Sequence, residues 1–186
     1  MDDIVIAAMA KWPRVPHCYG WLGLDTRGNW YMRDDACQAA GSFANACTGG
    51  DAKAKGSRLQ HEKLVDFIGR NYSCDETGQW YFQNGPQRVF VELACTPLVW
   101  RVQADFSVQD HTGQPAVVLA CYCDEQGRLY LQAERGIGLV HSMDMLQAAD
   151  AIEQGLWLPG ALGIAEIAQR FAFVQSPQQH QMPIKK

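Results

Sequence analysis

The chain has 186 residues, 47% hydrophobic and 19% charged, with a formal net charge of −4. A chain of this length and apolar content can bury roughly 70% of its unfolded surface, which excludes global disorder and allows one domain or two small ones. The acidic balance leaves no basic footprint of clustered Lys and Arg, so nucleic acid is not an expected partner.

The chain opens acidic, and its apolar run over residues 4–10 ends at Lys11 before it reaches the length of a signal sequence with a basic flank. No later stretch approaches the ~18 apolar residues of a membrane span, so the expected location is the cytoplasm, with no membrane partner. Seven cysteines, an odd number, without an export signal fit reduced thiols.

Asp2 is placed to cap a helix over 2–11, in which Val5, Ala8, Met9 and Trp12 form one apolar stripe closed by Pro13 and Pro16. Gly20 to Arg33 reads as a hairpin around Asp25-Thr26-Arg27-Gly28. Residues 34–56, rich in small and polar side chains with Phe43 the lone aromatic, read as a mobile loop. Helical spacing returns over 60–71, with Leu64, Phe67 and Ile68 on one side. The densest strand signal follows over 72–102, where Asn84-Gly85 suggests a type I′ turn that Pro86 stretches. Further strands are expected over 117–140, then helices at 143–154, capped by Ser142, and 164–173, ahead of a polar tail at 175–186.

One pattern recurs at about fifty residues: Asp25-x-x-Gly28-x-Trp30-Tyr31-Met32, Asp75-x-x-Gly78-x-Trp80-Tyr81-Phe82 and Asp124-x-x-Gly127-x-Leu129-Tyr130-Leu131. Turn chemistry explains it, since Asp bonds its own turn, Gly accepts a left-handed φ, and strand formers follow. The positions three and one before each Asp hold Leu22 and Leu24, Tyr72 and Cys74, and Cys121 and Cys123. Alternate strand residues share a face, so Cys121 and Cys123 read as small apolar fillers.

Lys11-Trp12-Pro13, the run His17-Cys18-Tyr19-Gly20-Trp21-Leu22 and the stretch from Trp80 through Asn84-Gly85-Pro86 to Val89 resemble an uncharacterised family of bacterial proteins. The order of hairpin, helix, aromatic hairpin and Thr96-Pro97 segment is similar, more distantly, to a second bacterial family of unknown function. That second resemblance implies a repetitive α+β fold and a signalling role; neither supplies a catalytic residue.

Chemistry-bearing groups are sparse. His17-Cys18, Cys121-x-Cys123 and a remote His141 lack metal-ligand spacing, so no metal or cofactor is expected. His17 and Cys18 are neighbours on an extended chain and point apart, which rules out a dyad by adjacency. The acidic pairs Asp34-Asp35, Asp75-Glu76 and Asp124-Glu125 fall largely in turns. The candidate recognition surface is Gln83, Asn84, Gln87 and Arg88 beside Trp80 and Trp100, because amides and a guanidinium next to large aromatics combine planar hydrogen bonding with apolar contact.

The expected fold is α+β, repeated antiparallel hairpins forming curved sheets with packed helices. The expected division is an N-terminal region 1–102 with two hairpin repeats and the 34–56 loop, a C-terminal region 103–174 with the third repeat and two helices, and a disordered tail 175–186. The expected function is a non-catalytic regulatory module that binds a small ligand or protein partner. The alternative is a hydrolase-like enzyme whose Cys or His is assembled by the fold.

Overall fold

The computed structural model describes residues 1–181. The fold is α+β, with one six-stranded and one seven-stranded sheet. The described chain divides into two compact units: the first holds Met1–Asp25, Asn29–Ala94 and residues 173–181, the second Thr26–Gly28 and Cys95–Ala172. Among the described residues no helix is long and apolar enough to cross a membrane.

The first unit begins with α1 (Asp3–Lys11), β1 (Cys18–Leu24) and β2 (Trp30–Met32), then α2 (Asp35–Ala40), α3 (Phe43–Cys47) and a single 3-10 turn (Ala52–Lys55). It continues with β3 (Ser57–Arg58), α4 (Glu62–Arg70), β4 (Tyr72–Cys74), β5 (Trp80–Asn84) and β6 (Gln87–Leu93), and the returning chain adds α7 (Pro177–Gln181). The sheet order is β3-β2-β1-β6-β5-β4, with β1 and β6 parallel. Period-two alternation on β5 sends Phe82 toward α4, where Phe67 meets it edge-on at 5.5 Å.

The second unit holds β7 (Leu98–Val102), β8 (Val108–Asp110), β9 (Pro115–Ala116), β10 (Ala120–Cys123), β11 (Leu129–Ala133), β12 (Gly136–Val140), α5 (Met145–Glu153), β13 (Pro159–Ala161) and α6 (Ile167–Arg170). Its order is β13-β10-β11-β12-β7-β8-β9, with β7 and β12 parallel. Trp100 is fully buried there and donates from Nε1 to the Leu131 carbonyl at 2.6 Å. Gly138 makes room for that ring, since a Cβ at this position would lie 2.5 Å from Nε1.

Strands β1–β6 and β7–β12 follow the same order and the same mixture of parallel and antiparallel pairs. The fifty-residue period therefore marks hairpins inside a six-strand pattern used twice. The first copy inserts α2, α3 and α4 where the second runs almost directly from β8 to β10. The Asp turn also has a further member. Asp110-His111-Thr112-Gly113 matches the turns at Asp75 and Asp124: in all three the Asp Oδ1 accepts from the amides two and four residues on, and the Gly has φ between 74° and 82°. At Asp25 the Gly φ is 77° and Oδ1 accepts from Asn29 N. Each is a hairpin turn in which only the left-handed residue needs glycine.

Several local expectations need correction. Residues 34–56 are not a loop but three short helical turns, each begun by a capping side chain: Asp34 accepts from Cys37 N, Ser42 from Asn45 N and Asp51 from Lys53 N. They are too short to show periodicity in sequence, and they are fastened from outside. Arg33, fully buried, donates to the carbonyls of Ala54, Gly20, Cys37 and Gly41, while the Phe43 ring fills the space above Gly23.

The tail is ordered at its start: Leu93 N donates to the Gln175 carbonyl, and buried Glu92 accepts from Ser176 Oγ and Gln178 N at the start of α7. Burial pushes the Glu92 carboxyl up, against those two donors and the charge of Arg33. Residues 182–186 of the expected tail lie outside the described residues. Asp2 does not cap α1 with its side chain; that carboxylate binds Arg70 and Asn71 instead. His141, not Ser142, caps the turn before α5, its Nδ1 accepting from Met143 N. Pro86 fixes a negative φ, so the β5–β6 turn has its positive φ at Gly85 and Asn84 becomes a strand residue paired with Gln87.

Candidate functional site

The six candidate residues do not form one surface. Trp80 is buried against Tyr72, with ring centroids 4.8 Å apart, and Trp100 belongs to the core of the second unit. Gln83 is buried at 1% exposure and spends its Nε2 on the Gly85 carbonyl, which stabilises the turn. Gln87 donates to the Pro16 carbonyl at 3.0 Å. Asn84 and Arg88 remain, and alternation along the hairpin puts them at two different concavities.

On the α4 face, a cavity of about 240 Å³ lies between that helix and the sheet, with Trp21, Met32, Leu64, Phe67, Phe82 and Asn84 among its walls. Its shape starts in β1. The register with β6 slips between Cys18 and Leu22, and Gly20 adopts a φ of 80°, so Tyr19-Gly20-Trp21 bulges from the ladder. Trp21 is left 41% exposed, and Met32 on the next strand 52% exposed. The sequence does not mark this groove, because Trp21 and Met32 read as ordinary strand residues; its signal is Gly20 inside the run.

On the opposite face, Arg88 stacks over Tyr81 at 4.5 Å, and Tyr19 lies flat on Phe90 with centroids 4.6 Å apart. His17 packs edge-on against Phe90 whereas Cys18 lines the α4-face cavity, so the two neighbours diverge as strand geometry requires. In the second unit, Asp124 Oδ2 accepts from Arg128 Nε at 2.7 Å and from the Tyr130 hydroxyl at 2.8 Å. Burial opposes ionisation of Asp124, yet these donors hold its carboxyl below the usual range; burial raises the Tyr130 phenol. Cys121 is buried and its thiol is pushed up to about 11, first by burial and then by Cys123. Among the described residues no group of three or more His, Cys, Asp or Glu side chains is placed to hold a metal ion.

A family model for DUF2944, described as protein of unknown function (DUF2946), matches residues 1–183, and the chain belongs to that family. No curated protein matches it. Two crystal structures are similar to it. One is a DUF1285 family protein from Silicibacter pomeroyi, 13% identical with a TM-score of 0.47, covering 81% of this chain and 84% of that one. The other is a DUF1285 family protein from Shewanella baltica, 15% identical with a TM-score of 0.45, covering 70% of this chain and 91% of that one.

Proposed function

We infer that this protein is a non-catalytic binding module whose α4-face groove takes one bulky apolar side chain of a protein partner. The observation that carries the reading is Trp21, a residue left 41% exposed at the β1 bulge while it lines an apolar groove. Trp and Met, as at Trp21 and Met32, are enriched where partners bind. Size argues for a side chain: about 240 Å³ falls below the ~300 Å³ at which small-molecule sites begin, and equals roughly eight waters of liquid volume. Among the described residues of the lining, Cys18 is the one ionisable side chain, and Asn84 supplies an amide to orient what enters. Signalling, implied by the second resemblance, is a finer role that no residue of the groove addresses.

Selection from a random peptide library displayed on phage tests this reading. Enriched peptides should share one bulky apolar residue and lose binding to a Met32→Asp variant that unfolds like the wild type. Enrichment with no shared apolar residue, or binding indifferent to Met32→Asp, would refute it.

A further inference from the structure

A second cavity, of about 530 Å³, opens beside the Asp75 turn and is walled by Cys74, Asp75, Glu76, Thr77, Tyr81 and Arg88. The sister turns explain what is unusual there. In each of them the second carboxylate oxygen holds a cation: Lys55 at 3.6 Å from Asp25, Arg128 at 2.7 Å from Asp124, and Arg135 on Asp110. Asp75 bonds Thr77 N, Thr77 Oγ1 and Gln79 N, all through Oδ1. Among the described residues, Asp75, Glu76 and Arg88 have no ion-pair partner. Charges of both signs outside any ion pair therefore line one cavity, with the Tyr81 ring beneath the guanidinium. Behind the wall, Gln79 donates to Thr77 Oγ1, and its own Oε1 is buried without a partner among the described residues.

We propose that this cavity binds a small zwitterion, a free α-amino acid, with its ammonium on Asp75 and Glu76 and its carboxylate on Arg88, whose guanidinium is held in place by the buried Tyr81 ring. A guanidinium recognises a carboxylate through two parallel hydrogen bonds, and the ammonium supplies the cation that the sister turns draw from their own chain. The volume lies within the range of small-molecule sites, ~300–1,000 Å³. Cys74, although exposed, adds no charge, because partial desolvation against the strand and then the neighbouring Asp75 push its thiol up to about 11.

The test is an NMR titration of the full chain with each free L-amino acid at millimolar concentration. It is repeated on Asp75→Asn, which keeps the Oδ1 acceptor of the turn, and on Glu76→Gln and Arg88→Gln, with thermal unfolding as a check on folding. At least one amino acid should give saturable shifts around Arg88 and Tyr81, and Asp75→Asn and Arg88→Gln should each weaken it about tenfold. The N-acetyl derivative should bind weakly and be insensitive to Asp75→Asn, and the carboxamide should be insensitive to Arg88→Gln. No saturable binding by any amino acid, or binding unchanged in folded Asp75→Asn, Glu76→Gln and Arg88→Gln, would overturn the proposal. Groove ligands need neither charge, so this result stands apart from the outcome for the groove.

Discussion

Arg33 lies against Phe43, its guanidinium carbon 5.9 Å from the ring centroid, and together the two hold residues 34–56 on the first sheet. The guanidinium does this through hydrogen bonds to backbone carbonyls rather than through an ion pair, and the ring does it by occupying the space that Gly23 leaves.

Arg33→Met should therefore cost at least about 3 kcal/mol, since it leaves several carbonyls unpaired in the interior at ~1–3 kcal/mol for each that water cannot reach. Phe43→Ala should cost about 3–5 kcal/mol, in the range for a buried aromatic. Replacing residues 36–55 by a Gly-Ser linker should lower the thermal midpoint, because it uncovers the sheet face at Gly23 and Tyr31. Urea denaturation of the two point variants and thermal unfolding of the linker variant check this, and wild-type stability in all of them would contradict the clamp.

Gly113 and Gly127 separate backbone strain from crowding, because a Cβ at either would meet nothing within 4 Å while φ is 82° and 74°. Gly113→Ala and Gly127→Ala should each cost about 1 kcal/mol from φ alone. Gln126→Ala, beside Gly127 in the same turn, should stay within about 0.5 kcal/mol of wild type. Gly23→Ala should cost about 1–3 kcal/mol for the opposite reason, since its Cβ would lie 2.6 Å from the Phe43 ring. Chemical denaturation reads all four.

The Asp124 carboxyl is held below its ordinary value of 3.8 by Arg128, Tyr130 and the turn amides. The unfolded chain then binds a proton more readily than the folded one, so this group's contribution is complete above 3.8 and is lost as pH falls toward the folded value. Asp124→Asn keeps the Oδ1 acceptor and removes the charge. It should lower stability near neutral pH and flatten the decline below about pH 5. Urea midpoints across the acid range measure it; an acid limb as steep as that of the wild type would contradict the assignment.

These features were unequally legible in the sequence. The long helices and the Asp-Gly hairpins follow from apolar spacing and turn chemistry, which act locally, so α4 and the turns at Asp25, Asp75 and Asp124 lie where their residues indicate. The Asp110 turn is not legible in the same way, because a polar Gln-Pro pair, not aromatics, follows its glycine. Residues 34–56 read as a loop for a different reason: their order depends on Arg33, outside the segment, and on a glycine two strand positions before Asp25. The candidate surface failed where burial is decided by tertiary packing, which consigned Trp80 and Trp100 to cores, while the Trp21 groove depends on a bulge that no periodicity records.

The most direct test of the binding reading is an NMR titration of the chain with N-acetyl-L-tryptophanamide, a bulky apolar side chain without either terminal charge. Saturable shifts confined to the Trp21 indole, the Asn84 amide and the residues of α4, lost in Met32→Asp and retained in Arg88→Gln, are the predicted result. Shifts that fail to saturate, or that survive Met32→Asp unchanged, would contradict it.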